Sequence, residues 1–216
     1  MKLCAIIVAG GSGTRMGTEI PKQFLPLHDG RPMLMHTVEK FYNIADQIII
    51  ALPKAHITLW VELCCLHKFD QGKHNIVIGG DQRYYSVKNA LQNVDPTTTL
   101  VAVHDAVRPY ISTQLIHKVA NAATQNGAAI PAINVSDTIR QIQPDGKSIT
   151  LVRNDLRAVQ TPQIFSYKLI TEAYKQPFST EFTDDASVVE AMGTKVALCE
   201  GEQKNIKITY PNELKF

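Results

Sequence analysis

The chain has almost no net charge. Its 22 lysines and arginines against 20 aspartates and glutamates leave +2 over 216 residues, and the cations nowhere gather into a basic run. A nucleic-acid binder needs such a stripe to displace counterions from the phosphate backbone, so a small anionic ligand is the better expectation and nucleic acid is not a partner. Long apolar runs are also missing. No stretch approaches the ~18 residues of a spanning helix, and Met1-Lys2 leads straight into a strand without a leader pattern, which predicts a cytoplasmic protein with no membrane partner. Cys4, Cys64, Cys65 and Cys199 show no CxxC spacing and the histidines no HExxH, so a protein-built zinc site is not expected and the thiols read as reduced core residues. Two common phosphate motifs are absent as well. The first glycine-rich turn holds no Gly-Lys-Ser/Thr, as a Walker A loop requires, and its Gly11, Gly13 and Gly17 give GxGxxxG, not the dinucleotide-binding GxGxxG.

What is present is a different glycine-rich turn, VAGGSGTRMGTEIPKQF from Val8 to Phe24. Leu3 to Val8 (LCAIIV) reads as a strand buried on both faces of a parallel sheet, so the chain leaves the sheet through this turn. Glycines there let backbone N–H groups approach an anion closely, while Arg15 adds a forked guanidinium and Lys22 a compact ammonium aimed by Pro21. The turn reads as a phosphate cradle with two cations.

Further apolar runs at Gln47 to Leu52, Asn75 to Ile78, Leu100 to Val103, Ala128 to Ile133 and Lys195 to Leu198 alternate with amphipathic stretches at Met33 to Tyr42, His56 to Phe69, Tyr84 to Val94 and Ser112 to Gln125. Such alternation predicts one α/β domain over 1–216, with a mostly parallel sheet covered on both faces and ligands outside the carboxyl ends of its strands. The loops at those ends carry chemistry. GGDQRYYSV (Gly79 to Val87) offers close backbone approach, a hydroxyl at Ser86, and Asp81 as a cap for the next helix or part of a base-reading edge. VHDAVRP (Val103 to Pro109) sets Asp105 at a strand end, either as a Mg²⁺ ligand beside the cradle or as the ion-pair partner of Arg108.

From Ser136 to Val152, two β-prone runs flank Pro-Asp-Gly-Lys and predict a hairpin arm projecting from the body, for which dimer formation is a natural use. Arg140 and Lys147 read as solvated arm charges. Beyond lie Arg153 and Arg157, TPQIF from Thr161, TDDAS with Thr183 as a helix N-cap, and NIKIT (Asn205 to Thr209) with Lys207 on a short strand.

AGGSGTRM, PKQF, GGDQR, VHDAVRP, SDT, QTPQIF, TDDAS and NIKIT, in this order along nearly the whole chain, resemble the cytidylyltransferases that make 4-diphosphocytidyl-2-C-methyl-D-erythritol. The resemblance implies a Rossmann-like three-layer sandwich of the nucleotide-diphospho-sugar-transferase type and a homodimer whose hairpin arm, about 136–152, reaches over the partner subunit. It implies Ala9, Gly10, Gly11, Arg15 and Lys22 on the phosphates of CTP, Gly80, Asp81 and Ser86 at its cytidine end, and Lys207 on the phosphates. Asp105, Ala106, Arg108, Thr138, Arg153 and Thr161 would meet the polyol phosphate. Arg15, Lys22, Arg153 and Lys207 would be catalytic, and Mg²⁺, held mostly by CTP phosphates with Asp105 beside it, would be the cofactor. Val152 and Arg157 stand where the family commonly has Asp and an aromatic residue, so Arg153 and Arg157 compete for one phosphate role. Lys204 replaces a usual acidic or polar residue, which removes one further carboxylate. Ribitol-5-phosphate cytidylyltransferases share the CTP half and are the alternative reading. A sugar-nucleotide pyrophosphorylase and a non-catalytic CTP-binding regulator are more distant ones.

Overall fold

The computed structural model describes residues 2–10 and 20–215. Strands β1 (Leu3–Val8), β2 (Gln47–Leu52), β3 (Asn75–Ile78), β4 (Leu100–Asp105), β5 (Ala128–Asn134), β8 (Arg157–Val159), β9 (Gln163–Ser166) and β10 (Ala197–Glu200) form an eight-stranded sheet. Its order is β10-β5-β9-β4-β1-β2-β3, with β8 also paired to β5. The β1, β2, β3 and β4 neighbours run parallel, as does β10 with β5, whereas β9 lies antiparallel between β4 and β5.

Strict alternation along β1 shows why the sheet is covered on both faces. Leu3, Ala5 and Ile7 enter one core with side chains of α1 (Met33–Glu39), α2 (Ile57–Leu66) and α4 (Thr113–Asn126). Cys4 and Ile6 enter the other, against α3 (Arg83–Leu91), α5 (Tyr167–Ala173) and α6 (Asp185–Glu190). A strand with apolar residues on both faces can be satisfied only in such a three-layer arrangement. Helix ends follow local chemistry. Ser112 Oγ accepts the Leu115 N–H at 3.0 Å to open α4, and Gly127 at φ 81° closes it in the left-handed region.

The predicted hairpin is present: β6 (Arg140–Ile142) and β7 (Ser148–Thr150) form a separate antiparallel ladder, turned by Gly146 at φ 80°. Ile142, Ile149 and Val152 are exposed on it. Three local expectations are corrected. Asn205 to Thr209 is not a strand; it is an extended segment pinned by the Ile208 N–H to the Val107 carbonyl. The residue capping α3 is Gln82, without a side-chain bond, so Asp81 does not cap. Asp184, not Thr183, caps α6, in a reciprocal capping box with Ser187.

Candidate active site

At the carboxyl ends of β1 and β4 lies a cleft of about 230 Å³. Register explains its floor: Val8 and Asp105 are partners in the last rung of the β1–β4 ladder, so both chains leave the sheet side by side. Ala9 and Gly10 form one lip. Gln23, buried, donates from Nε2 to the Ala9 carbonyl at 2.8 Å and fixes the start of the loop. A short 3-10 turn, Lys22–Phe24, follows Pro21 (φ −57°) and brings Lys22 to the cleft, where Nζ donates to the Ile208 carbonyl at 3.3 Å. Gly11 and Arg15 lie outside the described residues.

The opposite lip is the Gly79–Gln82 loop. Ser86, 1% exposed, accepts the Gly80 N–H at 3.1 Å and has its oxygen 3.2 and 3.3 Å from the Gln82 and Gly80 carbonyls. The hydroxyl therefore shapes the loop, and Gly80, Asp81 and Ser86 line this side of the cleft.

The floor is electrostatic. Asp105 Oδ2 is 2.9 Å from Lys207 Nζ and 3.5 Å from Arg108 Nε, while Oδ1 is 3.8 Å from Arg83 Nε. Burial opposes its ionisation, but the charges of Arg83, Lys207 and Arg108 hold this carboxyl well below the usual carboxylate range. Of the two sequence readings, the ion pair with Arg108 is present and is joined by two further cations. A divalent ion would have to compete with all three, and among the described residues no group of three His, Cys, Asp or Glu side chains could hold a metal. Asp105 does not fit the role of a free metal ligand.

Beneath the floor, Thr161 Oγ1 accepts the Asp105 N–H at 3.1 Å and lies 3.0 Å from His104 Nδ1, and His104 Nε2 lies 3.2 Å from the Arg108 carbonyl. Both Thr161 and His104 are buried, and burial pushes the His104 imidazole down to about 4. Asn205, fully buried, donates to the Thr161 carbonyl at 2.8 Å, and its own carbonyl accepts from Arg108 Nη1 at 2.7 Å. That pairing positions the segment carrying Lys207.

The structure thus gathers Ala9, Gly10, Lys22, Gly80, Asp81, Ser86, Asp105, Ala106 and Lys207 around one cleft, with Arg108 and Thr161 directly behind. Thr138 and Arg153 do not line it. Arg153 donates from Nη1 to the Ser136 carbonyl at 2.6 Å and, with Arg157 and Asn134, lines a separate surface cleft beside the arm. Arg83 is the charged cleft residue that the sequence reading passed over, although it stands inside the quoted GGDQR motif.

A family model described as "IspD: 2-C-methyl-D-erythritol 4-phosphate cytidylyltransferase" matches residues 3–216. The 2-C-methyl-D-erythritol 4-phosphate cytidylyltransferase of Bacteroides thetaiotaomicron is 48% identical over 218 residues, covering 100% of this chain and 98% of that protein. The enzyme of the same name from Bacteroides fragilis is 49% identical over 213 residues, covering 98% and 95%. Among solved structures, 2-C-methyl-D-erythritol 4-phosphate cytidylyltransferase from Thermus thermophilus superposes with a TM-score of 0.80 at 33% identity, covering 99% of this chain and 96% of its own. The 4-diphosphocytidyl-2C-methyl-D-erythritol synthase from Anaerococcus prevotii gives 0.81 at 31% identity, covering 99% and 94%.

Proposed function

The chain belongs to the 2-C-methyl-D-erythritol 4-phosphate cytidylyltransferase family, and we propose that it transfers CMP from CTP to 2-C-methyl-D-erythritol 4-phosphate, releasing pyrophosphate, as a step of non-mevalonate isoprenoid biosynthesis. The observation that carries this reading is the convergence of Lys22, Lys207 and the Asp105 ion cluster on one cleft between the Gly10 and Gly80 loops. One lip supplies backbone amides and a cation for a triphosphate, and the other supplies backbone edges for a base.

In the reaction, a phosphate oxygen of the acceptor attacks the α-phosphorus of CTP, a new P–O bond forms, and the bond from that phosphorus to the oxygen bridging the β-phosphate breaks. The nucleophile is already an anion, so no general base is needed. Catalysis rests on holding two polyanions together and offsetting their charge, a task for Lys22 and Lys207 in the described cleft and for Arg15 on the glycine-rich turn. Ser86 and Thr161 act on the site through Gly80 and Asp105, because their hydroxyls are engaged inside the protein. Mg²⁺, bound by the phosphates of CTP and not by Asp105, would neutralise the triphosphate and draw charge toward the leaving pyrophosphate. No helix among the described residues is long and apolar enough to cross a membrane, which suits a cytoplasmic reaction between water-soluble phosphates. The active form is a homodimer joined through the arm.

A pyrophosphate-release assay tests this. With Mg²⁺, release is expected from CTP with 2-C-methyl-D-erythritol 4-phosphate and not from ATP, GTP or UTP, to be abolished by EDTA, and to recover on adding Mg²⁺ back. A kcat/KM for D-ribitol 5-phosphate that is ~10-fold higher would overturn the acceptor assignment.

A further inference from the structure

We propose that Arg83 is a positioning residue for the acceptor substrate, gripped from behind by Asp185 and fixing the Asp105 carboxylate at the cleft floor. This rests on the reading above, in which Asp105 faces the acceptor.

The grip is built deep in the protein. Arg83 Nη1 and Nη2 donate to the two oxygens of Asp185 at 2.7 and 2.6 Å, and Asp185 is fully buried. Tyr174 donates its hydroxyl to Asp185 Oδ1 at 2.6 Å, and its ring stacks on Tyr84 at 4.8 Å between centroids. The capping of α6 falls to Asp184, which frees Asp185 to face inward. With both Nη groups committed to one carboxylate, the fork is held in a plane, and its remaining donor, Nε, is the atom nearest Asp105, 3.8 Å from Oδ1.

Asp105 has two oxygens to balance. Lys207 and Arg108 both approach Oδ2, at 2.9 and 3.5 Å, so neither of them faces Oδ1. Arg83 is the charge facing the other oxygen. The two Nη groups and Nε of an arginine point in different directions, so one side chain can hold Asp185 and face Asp105 at once. A lysine, with one ammonium, cannot. Arg83 also opens α3 directly after the Gly80 loop, so the same residue ties the nucleotide lip to the acceptor floor.

The test is steady-state kinetics with each substrate varied in turn, together with calorimetric CTP binding in the absence of acceptor and thermal melting, on wild type, Arg83→Lys, Arg83→Gln and Tyr174→Phe. Arg83→Lys should raise the KM for the acceptor by ~10-fold or more while the Kd for CTP stays within ~3-fold, the split expected when one substrate's contact is lost. Arg83→Gln should be worse in the same sense. Tyr174→Phe touches only the far side of Asp185 and should raise the acceptor KM by ~2–5-fold with CTP binding unchanged. Equal loss of CTP affinity would make Arg83 a nucleotide ligand and overturn the proposal. So would wild-type acceptor kinetics in folded Arg83→Lys, or, if both Arg83 variants fail to fold, an unchanged acceptor KM in Tyr174→Phe. Wild type that does not turn over CTP with the acceptor would instead refute the underlying function.

Discussion

His104 sets the proton pattern under the cleft. The Arg108 carbonyl can only accept, so the imidazole Nε2 carries the hydrogen. Nδ1 is then a lone pair receiving the Thr161 hydroxyl, whose oxygen in turn accepts the Asp105 N–H. The chain of bonds is directional and requires a neutral ring, which burial enforces and the Arg108 cation favours, against the pull of the Asp105 carboxylate. Its folded value of about 4 lies below the ordinary 6.5, so between those values the unfolded chain binds a proton that the native protein does not. The neutral ring's contribution is complete above pH 6.5 and is lost as pH falls toward 4, by about 3 kcal/mol at the lower end. Urea unfolding at several pH values should show wild type losing stability relative to His104→Gln across that window. Other carboxylates are common to both proteins and cancel in the difference, so a flat difference would show that His104 does not titrate as argued.

Elements were legible wherever a local period or cap decided them, and illegible where a distant partner did. The runs of β1 and β2 and the apolar stripe of α4 between Ser112 and Gly127 could be read directly, because burial on both faces and helix capping are written in neighbouring residues. The four residues of β9 carry no period, and their place is decided by the gap between β4 and β5. NIKIT has the alternation of a strand, but buried Asn205 binds it to the Thr161 segment, and among the described residues it pairs with no strand. At the site, GGDQR was visible as a motif, yet the partner that gives Arg83 its role lies 102 residues away. Ser86 lies at the cleft and Thr161 behind it, and sequence alone could not show that their hydroxyls are used internally. The Gly80 loop offers a test at this scale. A Cβ on Gly80 would lie 2.3 Å from the Tyr85 Cβ and 3.3 Å from its backbone, a clash with the first turn of α3 and not with a movable side-chain end. Gly80→Ala should therefore shift the loop, cost ~1–3 kcal/mol of stability by overpacking and weaken CTP binding by ~10-fold or more. Calorimetry giving wild-type CTP affinity would show that this lip does not hold the nucleotide.

For the molecule as a whole, the unresolved assignment is which cleft Arg153 serves. Within one chain it sits at the base of the arm, bonded to Ser136 and apart from Lys22, while Ile142 at 68% and Val152 at 66% exposure leave apolar surface on the arm uncovered by its own chain. Both facts suit the proposed dimer, in which the arm packs on the partner subunit and Arg153 donates a charge-assisted bond to the acceptor phosphate in the partner's cleft, worth about 1.5–3 kcal/mol. Lys22→Ala and Arg153→Ala homodimers should then each be nearly inactive, because every site lacks one of the two cations. Co-expression of the two variants gives heterodimers in which one site combines intact Lys22 with intact Arg153 and the other has neither. Activity per heterodimer should recover toward half that of wild type, measured as pyrophosphate release after tandem affinity purification on two different tags. Verified heterodimers with no recovery would mean that Arg153 acts within its own chain, whereas an active Arg153→Ala homodimer would mean that Arg157, next to it on the same surface cleft, holds the phosphate. Arg157→Ala in the same complementation scheme tests that second outcome.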